Sequence, residues 1–314
     1  MKRLFILVAM VFLASNASLG WAQLTKLKVA ISPIGSYLPL FVGQEKGYFK
    51  EMGLEVSTIA ISGGPKKLEA MAGGSVHIAG SSVPPIIRGA SRGFDFTIVS
   101  PMANSPTKYP GISAVIVRKD SGIKSAKDLP GKKIAIAARG QVDDLTTNIL
   151  VERAGGDPKK IIWLEMRRSV MLPSLAKGVV HGAYMVDPFM TRALREIDVR
   201  LLVSPVTEIM PGSILTAFAS SKRWLKKNSE SAARFSITIK KGIAWMSENE
   251  TEARGTIVPK YTRMKKEVAL KVAWYLYKEH VSVAGLQKIA DMMHKYGYLE
   301  KKVNADDIIY YTAR

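Results

Sequence analysis

The chain has 314 residues, with 46 lysines and arginines against 26 aspartates and glutamates, a net charge of +20 and no cysteine. The lack of thiols excludes disulfides, thiolate metal sites, cysteine nucleophiles and the lipid-attachment cysteine of a tethered lipoprotein. About 290 residues beyond a leader exceed the length at which one hydrophobic core usually stops growing, so two lobes are expected.

The first 22 residues read as a signal peptide. Met1-Lys2-Arg3 is a basic start, residues 4–14 are an apolar run, and Gly20-Trp21-Ala22 supplies small residues before a cut after Ala22. An amphipathic or buried N-terminal helix is the competing reading. Cleavage would leave a charge of +18 and place the chain in the periplasm, unanchored by lipid. The apolar run is shorter than the ~18 to 20 residues that span a bilayer, and no later segment stays apolar for that length.

Further along, short apolar β-branched runs alternate with helical patterns, which predicts parallel βαβ units. Strands are expected over 27–32, 54–61, 76–80 and 96–100, with helices over 38–46, 65–72 and 84–92. An extended apolar segment follows at 112–117. Strands over 133–137, 161–166, 180–185 and 199–203 then alternate with helices over 143–154, 170–177 and 188–196, and a second extended segment runs over 214–219. From Lys222 the pattern is mostly helical, with Trp224, Phe235, Ile239, Ile243, Trp245, Trp274, Leu276 and Tyr277 recurring as core residues expected to pack on the first lobe.

The two alternating blocks are copies of one another at a shift of about 104 residues, in register at three places. Leu27-Lys28-Val29-Ala30-Ile31 matches Lys132-Lys133-Ile134-Ala135-Ile136. Met71-Ala72-Gly73-Gly74-Ser75-Val76-His77 matches Leu175-Ala176-Lys177-Gly178-Val179-Val180-His181, and Val99-Ser100-Pro101 matches Val203-Ser204-Pro205. Each copy is expected to be an open α/β lobe, and the segments 112–117 and 214–219 to be strands crossing between lobes. The expected division is 1–22 leader, 23–108 first lobe, 109–214 second lobe and 215–314 the return to the first.

In such sheets ligands gather beyond the carboxyl ends of the strands, where helix N-termini converge. The first copy offers Ser32, Gly35, Ser36 and Tyr37, then Ser62, Gly63 and Gly64, then Ser81 and Ser82. The second offers Arg139, Gly140, Gln141 and Val142 up to Asp143, then Arg167-Arg168-Ser169, then Asp187-Pro188. Glycines and hydroxyl residues admit backbone N–H groups to a ligand, and helix N-termini favour anions. Ordinary caps and turns use the same residues. Arg139 is the candidate for a bidentate clamp on a carboxylate or sulfonate, or else a surface arginine. Asp143 and Asp144 either stand in the pocket, where they complicate a purely anionic ligand, or cap the following helix, while Asp187 suits either a cap or an acceptor for a ligand amine or hydroxyl. Tyr37 and Tyr109 are aromatic neighbours of the loops, packed or stacked on a planar ligand.

The stretch Gln44-Glu45-Lys46-Gly47-Tyr48-Phe49-Lys50-Glu51-Met52-Gly53-Leu54-Glu55-Val56 resembles the signature of the nitrate, sulfonate and taurine type of transporter-linked solute-binding proteins. Their fold is similar to that of the thiamine-pyrimidine synthesis and binding proteins. Asp120-Ser121-Gly122-Ile123, Asp128-Leu129-Pro130-Gly131-Lys132-Lys133 and Gly155-Gly156-Asp157-Pro158 extend the resemblance over nearly the whole chain. It implies a two-lobed periplasmic-binding-protein-like α/β fold of type II, two open sheets joined by two crossing strands. It further implies a monomeric clamp that closes on one small solute, with no cofactor, and delivers it to an ABC permease driven by a cytoplasmic ATPase. Ligand contacts are implied for 32–37, 62–64, 81–82, 139–142 and 187. Arg139-Gly140-Gln141-Val142 departs from the glycine-serine pair of many members, which points to a larger organic acid.

Two other readings are weighed. A pyrimidine synthase on this fold would need a histidine- and cysteine-rich centre, and His77 and His181 fall at equivalent repeat positions beside strands, as structural residues would. A nucleic-acid binder would gather its cations. Here they are dispersed as pairs, Lys66-Lys67, Lys132-Lys133, Lys159-Lys160, Lys226-Lys227, Lys240-Lys241, Lys265-Lys266 and Lys301-Lys302, which read as solvated helix faces.

Overall fold

The computed structural model describes residues 23–314, so the expected leader and its cut after Ala22 lie outside the described residues. Ten strands are found: β1 (Thr25–Ile31), β2 (Leu54–Ala60), β3 (Ile78–Ser82), β4 (Phe96–Asn104), β5 (Ser113–Arg118), β6 (Lys133–Ile136), β7 (Ile162–Glu165), β8 (Gly182–Val186), β9 (Val199–Val203) and β10 (Ile214–Ser221). They form two five-stranded sheets, ordered β2-β1-β3-β10-β4 and β7-β6-β8-β5-β9. Each sheet is the core of an α/β lobe, and the repeat seen in the sequence is this pair of matching sheets.

In each sheet the leading strand pairs in parallel with its two neighbours, as right-handed βαβ units require. The exceptions are β5 and β10, each antiparallel to both neighbours. They are the strands on which the chain arrives after crossing from the other sheet. The two crossings lie side by side: Ser105 donates its backbone N–H to Ser213 O at 2.9 Å, and Asn104 donates its side-chain N–H to Gly212 O at 3.2 Å.

The repeat extends to single contacts. His77 accepts the backbone N–H of Lys28 on Nδ1 at 3.1 Å, and His181 accepts that of Lys133 at 3.1 Å. Both imidazoles tie the entry of a third strand to the first strand of its own sheet, and an acceptor nitrogen requires the neutral ring. Burial, and then the charge of Lys28, lowers the His77 pKa in keeping with that role.

Two local expectations are corrected. The sequence pattern places the third strand over 76–80 and Ser81 and Ser82 in a loop. Instead β3 runs to Ser82, because Ser81 and Ser82 pair with Ala217 and Thr216 of β10, a partner more than 130 residues away. Trp274, Leu276 and Tyr277 were expected in helical periodicity. The segment is extended, and Leu276 pairs in both directions with Asn104 at the end of β4. That pairing presents Tyr275 to the interior, where it is buried.

The helix Lys222–Glu248 covers the first sheet, and Val283–Lys295 packs outside the helix Val83–Ser91. Phe235, Ile239 and Ile243 of the longer helix share a core with Leu27, Val29 and Phe218 of β1 and β10, as their spacing predicts. A second core joins both lobes through Ile112, Val206, Leu215 and Tyr275. No helix among the described residues is long and apolar enough to cross a membrane.

Candidate functional site

Between the sheets lies a cavity of about 60 Å³, walled by both lobes. Four helices begin at it. Two come from the first lobe, Gly64–Ala72 and Val83–Ser91, and two from the second, Val142–Arg153 and Arg168–Ala176. Each contributes the positive end of its dipole and first-turn N–H groups without intrahelical partners, fewer at Val83–Ser91, where Pro84 and Pro85 have none. Gly63, Ser82 and Arg167, which precede three of these helices, provide no side-chain cap.

Of the residues nominated from sequence, Ser32, Ser36, Tyr37, Gly63, Gly64, Ser82, Gln141 and Val142 line the cavity. Gly64 has no room for a side chain, since a Cβ there would stand 2.5 Å from Ser81 Oγ and 3.0 Å from Gln141 Oε1. Gly63 holds a φ of +81°, which favours glycine. Gly35 and Ser81 are buried behind the wall. Gly35 accepts the Tyr277 O–H on its carbonyl at 2.9 Å. Ser62 is exposed at the turn.

Arg139 stands apart from the cavity. Its side chain is 53 % exposed and its Nε lies 3.5 Å from Asp144 Oδ2, in an outer groove with Asn148 and Tyr296. The physical reason is that Gly140 and Gln141 intervene before the helix, so the strand end directs residue 139 outward, and the cation lining the cleft is Arg168. Asp144 is the helix cap, accepting the N–H groups of Gly140 and Gln141 at 2.8 Å each. Of the two alternatives open for Asp143 the structure shows the pocket one: it lines the cavity with its carboxylate 4.0 Å from Arg168 Nη2. Asp187 accepts both the N–H and O–H of Thr191 on Oδ1, while its buried Oδ2 has no partner among the described residues. Tyr109 is exposed.

Sequence reasoning missed Lys67 and Tyr275, and named Arg168 only as part of a loop. Lys66 is exposed as a solvated lysine should be, but Lys67 is 3 % exposed and points inward. Its Nζ donates to Tyr37 Oη at 2.6 Å and to Ser32 Oγ at 2.9 Å. Tyr37 in turn donates to Gly80 O at 2.7 Å, so the hydroxyl is oriented to accept from the lysine. Burial, then the charge of Arg168, holds the Lys67 pKa well below the usual lysine range. A neutral amine uses both its hydrogens in these two bonds; an anion in the cleft favours the ammonium, whose third N–H is then available to it.

The hydroxyls of Ser36, Ser81 and Ser82 are buried without hydrogen-bond partners among the described residues. Ser36 and Ser82 line the cavity while Ser81 lies behind its wall; buried polar groups are normally satisfied, so two orphans on one cavity mark a place where a polar solute belongs. Ile112, Val186, Val206, Leu215 and the rings of Tyr184 and Tyr275 complete the wall. Burial raises the pKa of both tyrosines, keeping them neutral donors.

The lobes also touch directly. Gly64 N–H donates to Gln141 Oε1 at 3.0 Å, Arg88 Nη1 to Gly140 O at 3.2 Å, and Asn148 Nδ2 to Tyr298 Oη at 2.6 Å. This is the closed form of a two-lobed clamp. Among the described residues no group of three histidine, aspartate or glutamate side chains converges as a metal site would require.

Fold and cleft together define a two-lobed α/β binding clamp. The chain belongs to the NMT1/THI5-like family, whose model matches residues 35–253. A relative from Bacillus subtilis (strain 168), named for binding aliphatic sulfonates, is 24 % identical over 98 % of this chain and 94 % of its own length. The periplasmic aliphatic sulphonate-binding protein SsuA of Escherichia coli superposes with a TM-score of 0.70 at 19 % identity, covering 92 % of this chain and 98 % of that one. A 4-amino-5-hydroxymethyl-2-methylpyrimidine phosphate synthase of Saccharomyces cerevisiae is 30 % identical, over 36 % of this chain and 33 % of its own.

Proposed function

We propose that the protein is the extracytoplasmic solute-binding receptor of an ABC importer and takes a small organic anion, a sulfonate or carboxylate, between its lobes. It would close on the solute in the periplasm and present it, as a monomer, to a membrane permease with a cytoplasmic ATPase. The observation that carries this reading is the convergence of Lys67 and Arg168, the unpartnered hydroxyls of Ser36 and Ser82 and four helix N-termini on one interlobe cavity. All of these groups donate or carry positive charge, so they complement an anion. A relative named for sulfonate binding that aligns along almost the full chain supports the same chemistry.

Binding rather than catalysis is favoured because His77 and His181, the candidates for acid–base work, are occupied as acceptors at strand entries away from the cleft. The partial likeness to pyrimidine synthases motivates one alternative, a pyrimidine-precursor receptor.

The test is a thermal-shift screen of denatured and refolded protein against alkyl sulfonates, organic carboxylates, nitrate and aminopyrimidines. At a hundredfold excess over Kd a true ligand stabilises by about 2.7 kcal/mol. We expect the shift from an organic acid, abolished by Lys67→Met and retained by Arg139→Ala. A shift from aminopyrimidines alone would overturn the anion reading.

A further inference from the structure

The cleft contains one group that an anion alone does not explain. Asp143 is 6 % exposed and lines the cavity, yet its carboxylate accepts no side-chain or backbone hydrogen bond from another residue among the described residues. Its nearest cation, Arg168 Nη2, is 4.0 Å away, outside hydrogen-bonding distance. Asp144 next to it is fully used by the backbone of Gly140 and Gln141. Asp143 is therefore not the cap of its helix, and it faces the same space as Lys67.

A buried carboxylate whose only donor is its own backbone N–H is unfavourable, and beside an anionic solute it would be more so. The charged and titratable groups around it are Arg168, Asp144, Tyr184 and Tyr275. None of them supplies a direct bond to its oxygens. The missing donor must come from the cleft.

We propose that the solute carries a hydrogen-bond donor, an amine or a hydroxyl, in addition to its acidic group, and that Asp143 is the residue that selects for it. The inference rests on the organic-acid reading above and narrows it to amino or hydroxy acids, carboxylic or sulfonic. Lys67 presents its cation from the first lobe and Asp143 its acceptor from the second. A solute with both functions bonds to both lobes and so favours the closed form over the open one. Burial lifts the Asp143 carboxyl up to about 6, so at pH 7.5 it is ionised and acts only as an acceptor.

The experiment is titration calorimetry at pH 7.5 on refolded protein with matched pairs: 2-aminoethanesulfonate and 2-hydroxyethanesulfonate against ethanesulfonate, 3-hydroxybutyrate against butyrate, and 4-hydroxybenzoate against benzoate. A hydrogen bond to a charged group predicts a preference of about tenfold or more for the donor-bearing member of the pair that binds. Asp143→Asn should cut that preference to below about threefold and tighten binding of the plain acid, and Asp143→Ala should do the same. If plain acids bind as tightly as their donor-bearing partners, or if the preference survives both substitutions, the role of Asp143 is overturned while the organic-acid receptor stands. If no member of any pair binds, both readings fall together.

Discussion

At the scale of single residues, the ionisable groups of the cleft are held in states that cost stability. Asp143 shows this with a defined window. Its carboxyl is pushed from 3.8 up to about 6, first by burial, with Arg168 opposing and Asp144 adding to the rise. The folded protein therefore binds this proton more tightly than the unfolded chain. Its favourable contribution is full below pH ~4 and is lost as pH climbs through 6, so at neutral pH the ionised group is a net penalty. A shift of two pKa units corresponds to about 3 kcal/mol. Asp143→Asn should then be more stable than the wild type by up to that amount at pH 7.5, with the gap closing as pH falls from 6 to 4. Urea melts across that range give the answer, and a constant gap would mean that the carboxylate is better solvated than its burial implies. A site that weakens the fold in this way reflects selection for binding rather than for stability.

At the scale of elements, the site is made from ends: the ends of parallel strands and the beginnings of helices. The turn from β2 into the helix Gly64–Ala72 is a tight one, with Gly63 in a left-handed conformation and Gly64 against Ser81 and Gln141. Gly64→Val would drive two methyl groups into that contact and displace the second lobe. We expect a destabilisation of about 1 to 3 kcal/mol from overpacking and loss of measurable solute binding. Gly74→Ala, where nothing lies within 4 Å, supplies the comparison for left-handed strain without crowding. Calorimetry of both variants separates the two effects, since only the first should lose binding. The helix starts and glycine turn were legible in the sequence because they depend on local chemistry. The inward direction of Lys67 was not. Lys66 and Lys67 are the same residue type in one helical turn, and only packing against Tyr37 and Ser32 distinguishes them.

At the scale of the whole molecule, a second set of contacts holds the lobes together outside the cavity. Tyr298, after the helix Val283–Lys295, accepts the Asn148 side-chain N–H of the second lobe, while its backbone carbonyl accepts from Arg88, which also donates to Gly140. The Asn148–Tyr298 and Arg88–Gly140 bonds exist only when the lobes are together. Tyr298→Phe should therefore weaken closure without altering any group that lines the cavity. The hydroxyl also donates to Asp144 O at 3.4 Å, and the loss of both contacts, about 1 kcal/mol or more, predicts at least roughly fivefold weaker solute affinity. Stopped-flow measurements should place that loss in faster dissociation, as closure governs release. Unchanged dissociation would mean that the closed form is held by the cavity contacts alone.

Local pattern and internal repetition together determined the class of fold: alternating βαβ units, copied at a shift of about 104 residues, can bury their apolar faces only as two matching α/β lobes. The same pattern located the loops that surround the cleft, since strand ends and helix starts are encoded by neighbours in the chain. Which side chains enter that cleft depends instead on packing between distant segments. β3 extends to Ser82 because β10 pairs with it, Tyr275 enters because Leu276 pairs with Asn104, and Arg168 lines the cavity while Arg139 turns out to solvent. Each of these depends on partners far apart in the chain, and residue type and spacing carry no information about the direction that such packing imposes.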